Sequence, residues 1–242
     1  MLTLLKKRQA RTAAKVAIAA QSEQQPDVAT TAAHSDEAQR PHRPGLEDRP
    51  WDEIGGILKK DLEYARTLPG AQDKIPFKKE LIKKYAPLVE RLLVTHKDNL
   101  ERLDVVWWFY LWKIDVGLLP LIHDEFKAAV LNGLDTPDDW KSDGYTAYCD
   151  IVFKYTFDAH KEKESLNAGY LLDAVKDVIG GAAAIPAPLK VKMFRLAGDL
   201  LRESGKPEEA LALFEKVMVL SPSKGGCKTK VKELKEELGH EQ

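Results

Sequence analysis

The sequence contains only two cysteines, Cys149 and Cys227, which are too few for a disulfide scaffold or a thiolate metal site. So few cysteines are typical of a protein from a reducing compartment. No apolar run approaches the roughly 18 residues that a membrane-spanning helix needs, so no membrane partner is expected. The net charge is −1, which excludes a strong overall basic field of the kind that many nucleic-acid-binding proteins carry.

Motifs that would carry catalysis or nucleotide binding are also missing. The six histidines are scattered, and neither the H-x-x-x-H nor the C-x-x-C spacing of a metal site occurs. The lysine- and glycine-rich stretch 223–230 lacks the spacing of a phosphate-binding loop, and no strand precedes it. The sequence therefore predicts no cofactor in this chain.

Two groups of polar residues could imitate a metal site. His123, Asp124 and Glu125 are adjacent on a helix and point in different directions, which favours a solvated polar face. The acidic cluster Asp135, Asp138 and Asp139 resembles a magnesium site for phosphodiester hydrolysis. Because it lies in a proline-containing segment between helices, where acids cap helix starts, we favour capping.

Positive charge is distributed unevenly along the chain. Residues 1–25 carry five basic residues against a single acid, and a second basic cluster follows Asp73. Such asymmetry is a weak indication of contact with a polyanion. For the basic residues of 1–25, the alternative to a polyanion contact is a solubilising tail. For the lysines that follow Asp73, the alternative is a solvated helix face, and this alternative is favoured. The candidate DNA-binding residues are Lys6, Lys7, Arg8, Arg11, Lys15, Lys78, Lys79, Lys83 and Lys84.

The chain divides into three regions. Residues 1–50 are predicted to be a basic helical arm plus a disordered linker, since 21–50 contain four prolines and almost no large apolar residue. A transit peptide is the alternative for the arm. Residues 51–188 are predicted to form a helical core and oligomerisation domain, and residues 189–242 a set of tetratricopeptide-like C-terminal helices.

Apolar residues at three- and four-residue spacing predict helices from residue 51 onwards, and no hairpin or alternating strand stands out. The fold class is therefore all-α: a helical-hairpin array with a tetratricopeptide-like C-terminal helix pair, preceded by the disordered basic arm. The main predicted helices cover 51–68, 99–116, 118–131, 144–163, 166–179 and 229–238, with a further helix beginning at Pro76.

The most apolar segment, residues 99–117, contains five aromatic residues within the six positions 107–112. By its length the apolar core of this segment could be a buried strand. The flanking Leu100, Leu103 and Ile114 instead continue the three- and four-residue spacing of a helix. A helix that is apolar all round must be covered by other elements or by another subunit. Stacking of nucleotide bases is the alternative, although burial favours core or interface. The candidate core or oligomer residues are Trp107, Trp108, Tyr110 and Trp112.

Small and aromatic residues near the C-terminus have the spacing of one tetratricopeptide motif. Gly198 and Ala210 are small where two antiparallel helices would touch, and Phe214 would fill the space between them. Residues 205–207 would turn the chain between these helices.

Two stretches resemble a known family: WWFYLWKIDVGLLPLIHDEFKAAVLNGLDTP and LAGDLLRESGKPEEALALFEKVMVLSPSKGGCKTKVKELKEEL. They are similar to the small terminase subunit family of temperate contractile-tailed bacteriophages, often catalogued as the terminase endonuclease subunit. The likeness covers residues 51–238 in the order and spacing of elements. The matched motifs are structural, so the resemblance assigns no catalytic residue.

The resemblance implies a homo-oligomer that binds double-stranded viral DNA and delivers it to the large terminase subunit for packaging. Magnesium and ATP are then expected on the large subunit, and the protein is expected in the cytoplasm of the bacterial host, encoded by a phage or a prophage. Two alternatives stay open. One is a tetratricopeptide-like scaffold that binds a protein partner without DNA contact. The other is a metal-dependent endonuclease in its own right.

Overall fold

The structure is a computed structural model that describes residues 45–182 and 184–239. Within these ranges the chain forms nine α-helices and one short 3-10 turn, without a strand, so the predicted all-α class is confirmed. The predicted basic arm and most of the linker lie outside the described residues. The helices are α1 (Trp51–Thr67), α2 (Ala71–Thr95), α3 (Asp104–Asp115), α4 (Leu119–Leu131), α5 (Gly144–Lys161), α6 (Gly169–Ile179), α7 (Ala187–Glu203), α8 (Pro207–Leu220) and α9 (Lys228–Glu237).

Two predicted helix starts are wrong. Helix α2 begins at Ala71 rather than at Pro76, because Gly70 already accepts the first helical hydrogen bond, from the Lys74 amide at 3.2 Å. Proline within the second turn removes one further bond, which the packing of the apolar face outweighs.

Helix α3 begins at Asp104, five residues later than predicted. The amide of Leu100 instead donates to the carbonyl of Asn132 at 2.9 Å, which ties this segment to the end of α4. Arg102 has a φ of +61°, a left-handed conformation that a right-handed helix cannot include.

Successive helices pack against one another along the chain, and α5 also contacts α7. The core is continuous, and its largest fully buried side chains include Trp107, Tyr85, Tyr148, Phe126 and Phe214. None of the described helices is both long enough and apolar enough to cross a membrane.

The C-terminal helices form one layered group. A β-carbon built on Gly198 in α7 would lie 2.5 Å from Cε1 of Phe214 in α8, so only glycine fits at this crossing. Ala210 in α8 is also fully buried. Helix α9 covers the pair through the buried Leu234 and through ion pairs such as Arg202 Nη1 with Glu233 Oε2, at 3.0 Å.

The residue two positions beyond the end of α5 is poorly suited to its backbone conformation. Lys163 has a φ of +53°, and the amide of Glu164 donates to the carbonyl of Ala159 at 2.9 Å. This is the same C-terminal motif that α7 makes with glycine, at Gly205. A side chain in this conformation costs about 1 kcal/mol relative to glycine.

Lys163→Gly is therefore expected to raise the free energy of unfolding by about 1 kcal/mol. Urea denaturation followed by circular dichroism measures the shift. Lys163→Ala is the control, since alanine retains the β-carbon and should leave stability unchanged. Equal midpoints for the glycine and alanine variants would show that no strain is stored at this position.

Candidate functional site

The basic cluster on α2 is split by ion pairs to neighbouring helices. Lys78 Nζ pairs with Asp115 at the end of α3. Lys84 Nζ lies 2.6 Å from Asp61 Oδ2 of α1, and the same oxygen accepts a hydrogen bond from the Tyr85 hydroxyl at 2.7 Å. Two of the four candidate lysines of α2 therefore hold helices together.

Tyr85 itself is buried and serves the fold. Its burial raises its pKa, and the hydrogen bond to the Asp61 carboxylate raises it further. The phenol therefore stays protonated and keeps donating to Asp61 over the whole physiological pH range.

The other two candidate lysines of α2 point outward. Lys79 and Lys83 are exposed and lie one helical turn apart, on one face. Lys83 Nζ is 3.1 Å from Glu80 Oε1, but the side chains are 74% and 68% exposed, so this pair contributes little. These two residues are the part of the predicted cluster that the described structure leaves open to a phosphate backbone. Lys6, Lys7, Arg8, Arg11 and Lys15 lie outside the described residues.

The aromatic helix α3 is largely covered by the same chain. Trp107 and Tyr110 are fully buried and Trp112 is 2% exposed. Their rings pack on Phe126 of α4 and Tyr85 of α2, with centroid distances of 5.2–5.6 Å. The Tyr110 hydroxyl donates to Glu125 Oε1 at 2.8 Å. These three side chains are therefore not accessible for stacking on a nucleotide base.

Trp108 differs from the other candidate aromatics of α3. It is half-buried, and Trp140 packs against it in an edge-to-face arrangement with ring centroids 5.8 Å apart. Its remaining surface faces a cleft beside α1.

The acidic segment between α4 and α5 divides into capping and exposed residues. Asp135 Oδ1 accepts hydrogen bonds from the amides of Thr136 and Gly144, and Asp143 caps α5 by accepting from the Thr146 amide at 2.7 Å. Asp138 and Asp139 are exposed. Across the described ranges no three His, Cys, Asp or Glu side chains are arranged to hold a metal ion.

One effect of the exposed acids is electrostatic. Burial raises the pKa of Asp104 at the start of α3, and the negative charges of Asp138 and Asp139 raise it further. The charges of Asp138 and Asp139 therefore act on the carboxyl group of Asp104, which lines the cleft beside α1 together with Asp139.

His123 is a residue whose role the sequence interpretation missed. It is 3% exposed rather than on a solvated face, with Nε2 2.9 Å from the Tyr148 hydroxyl and its ring stacked on Tyr170 at 3.9 Å between centroids. The signal was present in the spacing, because position 123 follows Leu119 by four residues and precedes Phe126 by three. The histidine is a hydrogen-bonded core residue.

Comparison with known proteins then decides the family. Residues 57–185, more than half of the chain, match the family described as phage small terminase subunit. The chain belongs to the phage small terminase subunit family. No curated protein and no solved structure matches the chain significantly.

The match to the small terminase family confirms the resemblance inferred from the sequence. It covers α2–α6 completely and most of α1. The first of the two quoted stretches, residues 107–137, lies inside the match, whereas the second, residues 196–238, lies beyond its end. The narrower assignment to temperate contractile-tailed phages stays a prediction, as does the tetratricopeptide-like character of α7 and α8.

Proposed function

We propose that this small terminase subunit binds double-stranded viral DNA and delivers it to the large terminase subunit for genome packaging. The observation that supports this most strongly is the family match over residues 57–185. We assign ATP and magnesium chemistry to the large subunit and none to this chain. The site of action is then the cytoplasm of the infected host.

We propose the basic N-terminal segment as the main phosphate contact. Its five basic residues are accompanied by a single acid within residues 1–25, whereas only two of the four candidate lysines of α2, Lys79 and Lys83, point outward without an ion pair to another helix. Each phosphate that a lysine or arginine neutralises releases a condensed counterion, so affinity for duplex DNA should fall steeply with salt.

The test is the salt dependence of duplex binding by the full chain and by a variant lacking residues 1–20. Binding of fluorescently labelled viral-end DNA is followed by anisotropy over a salt series. Removing five basic residues is expected to reduce the slope of log affinity against log salt by up to about 4.5, at roughly 0.9 per phosphate contact. An unchanged slope would reject the N-terminal segment as the DNA contact.

A pair of double variants tests the contribution of α2. Lys79→Gln with Lys83→Gln should reduce the slope by up to about 2. The matched control is Lys228→Gln with Lys232→Gln on α9, which removes two exposed lysines at the same four-residue spacing. The control should leave the slope unchanged.

Two outcomes contradict the proposal as a whole, and a third contradicts the homo-oligomer that the family resemblance implies. No binding of duplex DNA at physiological salt would favour a protein-binding scaffold. DNA nicking by the purified chain that needs magnesium and disappears on Asp138→Ala or Asp139→Ala would make it a nuclease. Light scattering measures molar mass with and without viral DNA, and a monomer under both conditions would contradict the homo-oligomer.

A further inference from the structure

A cleft of about 420 Å³ lies between α1, the first turns of α3 and the segment 137–139. Its wall includes Trp51 and Trp108, of which the first is 50% exposed and the second half-buried. Both rings therefore have free surface for a further contact. The volume falls within the roughly 300–1,000 Å³ that is usual for small-molecule sites.

Charged side chains of both signs converge on this cleft. None of these charged side chains belongs to an ion pair within residues 45–182 and 184–239. Other charged residues of α1 and α2 are paired, such as Asp61 with Lys84. The cleft thus presents hydrogen-bonding groups that neighbouring side chains do not use. The six charged lining residues are Lys59, Arg66, Arg102, Glu63, Asp104 and Asp139.

Two features of the backbone shape the same cleft. Arg102 is held in a left-handed conformation at its edge, which costs about 1 kcal/mol relative to glycine, and strained residues of this kind cluster at functional sites. Gly55 lines the cleft from within α1, where a β-carbon would meet nothing within 4 Å. Glycine inside a helix is about 1 kcal/mol less favourable than alanine, and no packing contact requires it here.

We infer that this cleft binds a nucleotide of single-stranded DNA, with the base against the two tryptophans and the phosphate at the basic side chains. The inference rests on the proposed DNA-binding function. An unpaired nucleotide offers a flat aromatic face, a negative phosphate and amino groups that donate to carboxylates, and so matches all three kinds of lining group. A docked helix from a partner would leave both sets of charges buried without specific partners.

The charge balance of the cleft gives this binding a distinct signature. Three basic and three acidic side chains line it, so it has no net charge to attract a polyanion. Stacking on the tryptophans then supplies most of the affinity without releasing counterions, and the one phosphate contact adds only roughly 0.7 to the salt slope. Binding of a single strand in the cleft should therefore depend weakly on salt, unlike binding of duplex by the N-terminal segment.

Two adjacent glycines of α1 provide the test. A β-carbon on Gly56 also meets nothing within 4 Å, but Gly56 does not line the cleft. Gly55→Leu fills the cleft, while Gly56→Leu makes the same change of residue one position away. Affinity of the full chain for a short fluorescein-labelled oligodeoxyadenylate is measured by anisotropy. We expect Gly55→Leu to weaken it at least about tenfold and Gly56→Leu to leave it unchanged.

A second variant, Trp51→Ala, removes an exposed ring and should weaken strand binding to a similar extent. Duplex binding by Gly55→Leu should stay at the wild-type level, which separates this test from that of the proposed function. Equal strand affinity for the two leucine variants would overturn the inference, as would loss of strand binding only when residues 1–20 are removed. If Gly55→Leu instead changes the molar mass of the protein alone, with strand binding intact, the cleft belongs to a subunit interface.

Discussion

Trp107→Ala is expected to lower the free energy of unfolding by about 3–5 kcal/mol. The indole is fully buried and packs against Phe126 at 5.6 Å and Trp140 at 5.8 Å between ring centroids. Removing it leaves a cavity between α3, α4 and the segment before α5, which the surrounding backbone can fill only in part. Urea denaturation measures the change as a lower midpoint at constant slope.

The adjacent tryptophan is a matched control. Trp108 is only half-buried, so Trp108→Ala removes less buried surface and should cost about 1–2 kcal/mol. Similar midpoints for the two alanine variants would mean that α3 does not lie at the centre of the core.

Phe214→Ala is expected to lower the free energy of unfolding by a similar amount, about 3–5 kcal/mol. Phe214 is fully buried in α8, its ring lies against Gly198 of α7, and Lys230 Nζ of α9 is 5.3 Å from the ring centroid. Removing the ring therefore loosens three helices at once. Thermal unfolding followed by circular dichroism should show the loss as a lower midpoint.

The close contact between Gly198 and the Phe214 ring predicts that substitutions at these two positions have non-additive effects on stability. Gly198→Ala should destabilise the wild-type chain by about 1–3 kcal/mol, because its methyl group would displace the phenyl ring. With Phe214→Leu in place, the same change should become neutral or stabilising, since alanine favours helix over glycine by about 1 kcal/mol. Gly56→Ala, in an open part of α1, controls for this preference and should stabilise. Additive effects of the two changes would contradict the close packing of α7 on α8.

The helices of this chain follow from local patterns in the sequence. The apolar spacing predicted α1, α4, α5, α6 and α9 to within a few residues, because helical burial needs a stripe that repeats every three or four positions. The start of α3 could not be predicted in this way. It depends on the bond from the Leu100 amide to the Asn132 carbonyl, and these residues lie 32 positions apart.

The candidate site was less predictable than the helices. Lysines at positions 78 and 84 look the same in sequence as those at 79 and 83, yet the first two are paired with acids from α3 and α1. His123 looked like part of a polar face and proved to be a core residue bonded to Tyr148 of α5. The cleft beside α1 had no sequence signal, because its lining comes from three separated segments.

The sequence by itself determined the all-α class, the positions of most helices and the family, since these depend on periodicity and on the order of motifs along the chain. Only the tertiary structure decided which lysines stay available for phosphate, which tryptophans keep free surface and where an open cleft remains. The physical reason is that a side chain is free to bind a ligand only if no other residue of the chain packs against it or pairs with it. Those partners come from helices that are distant in sequence and are brought together only by folding.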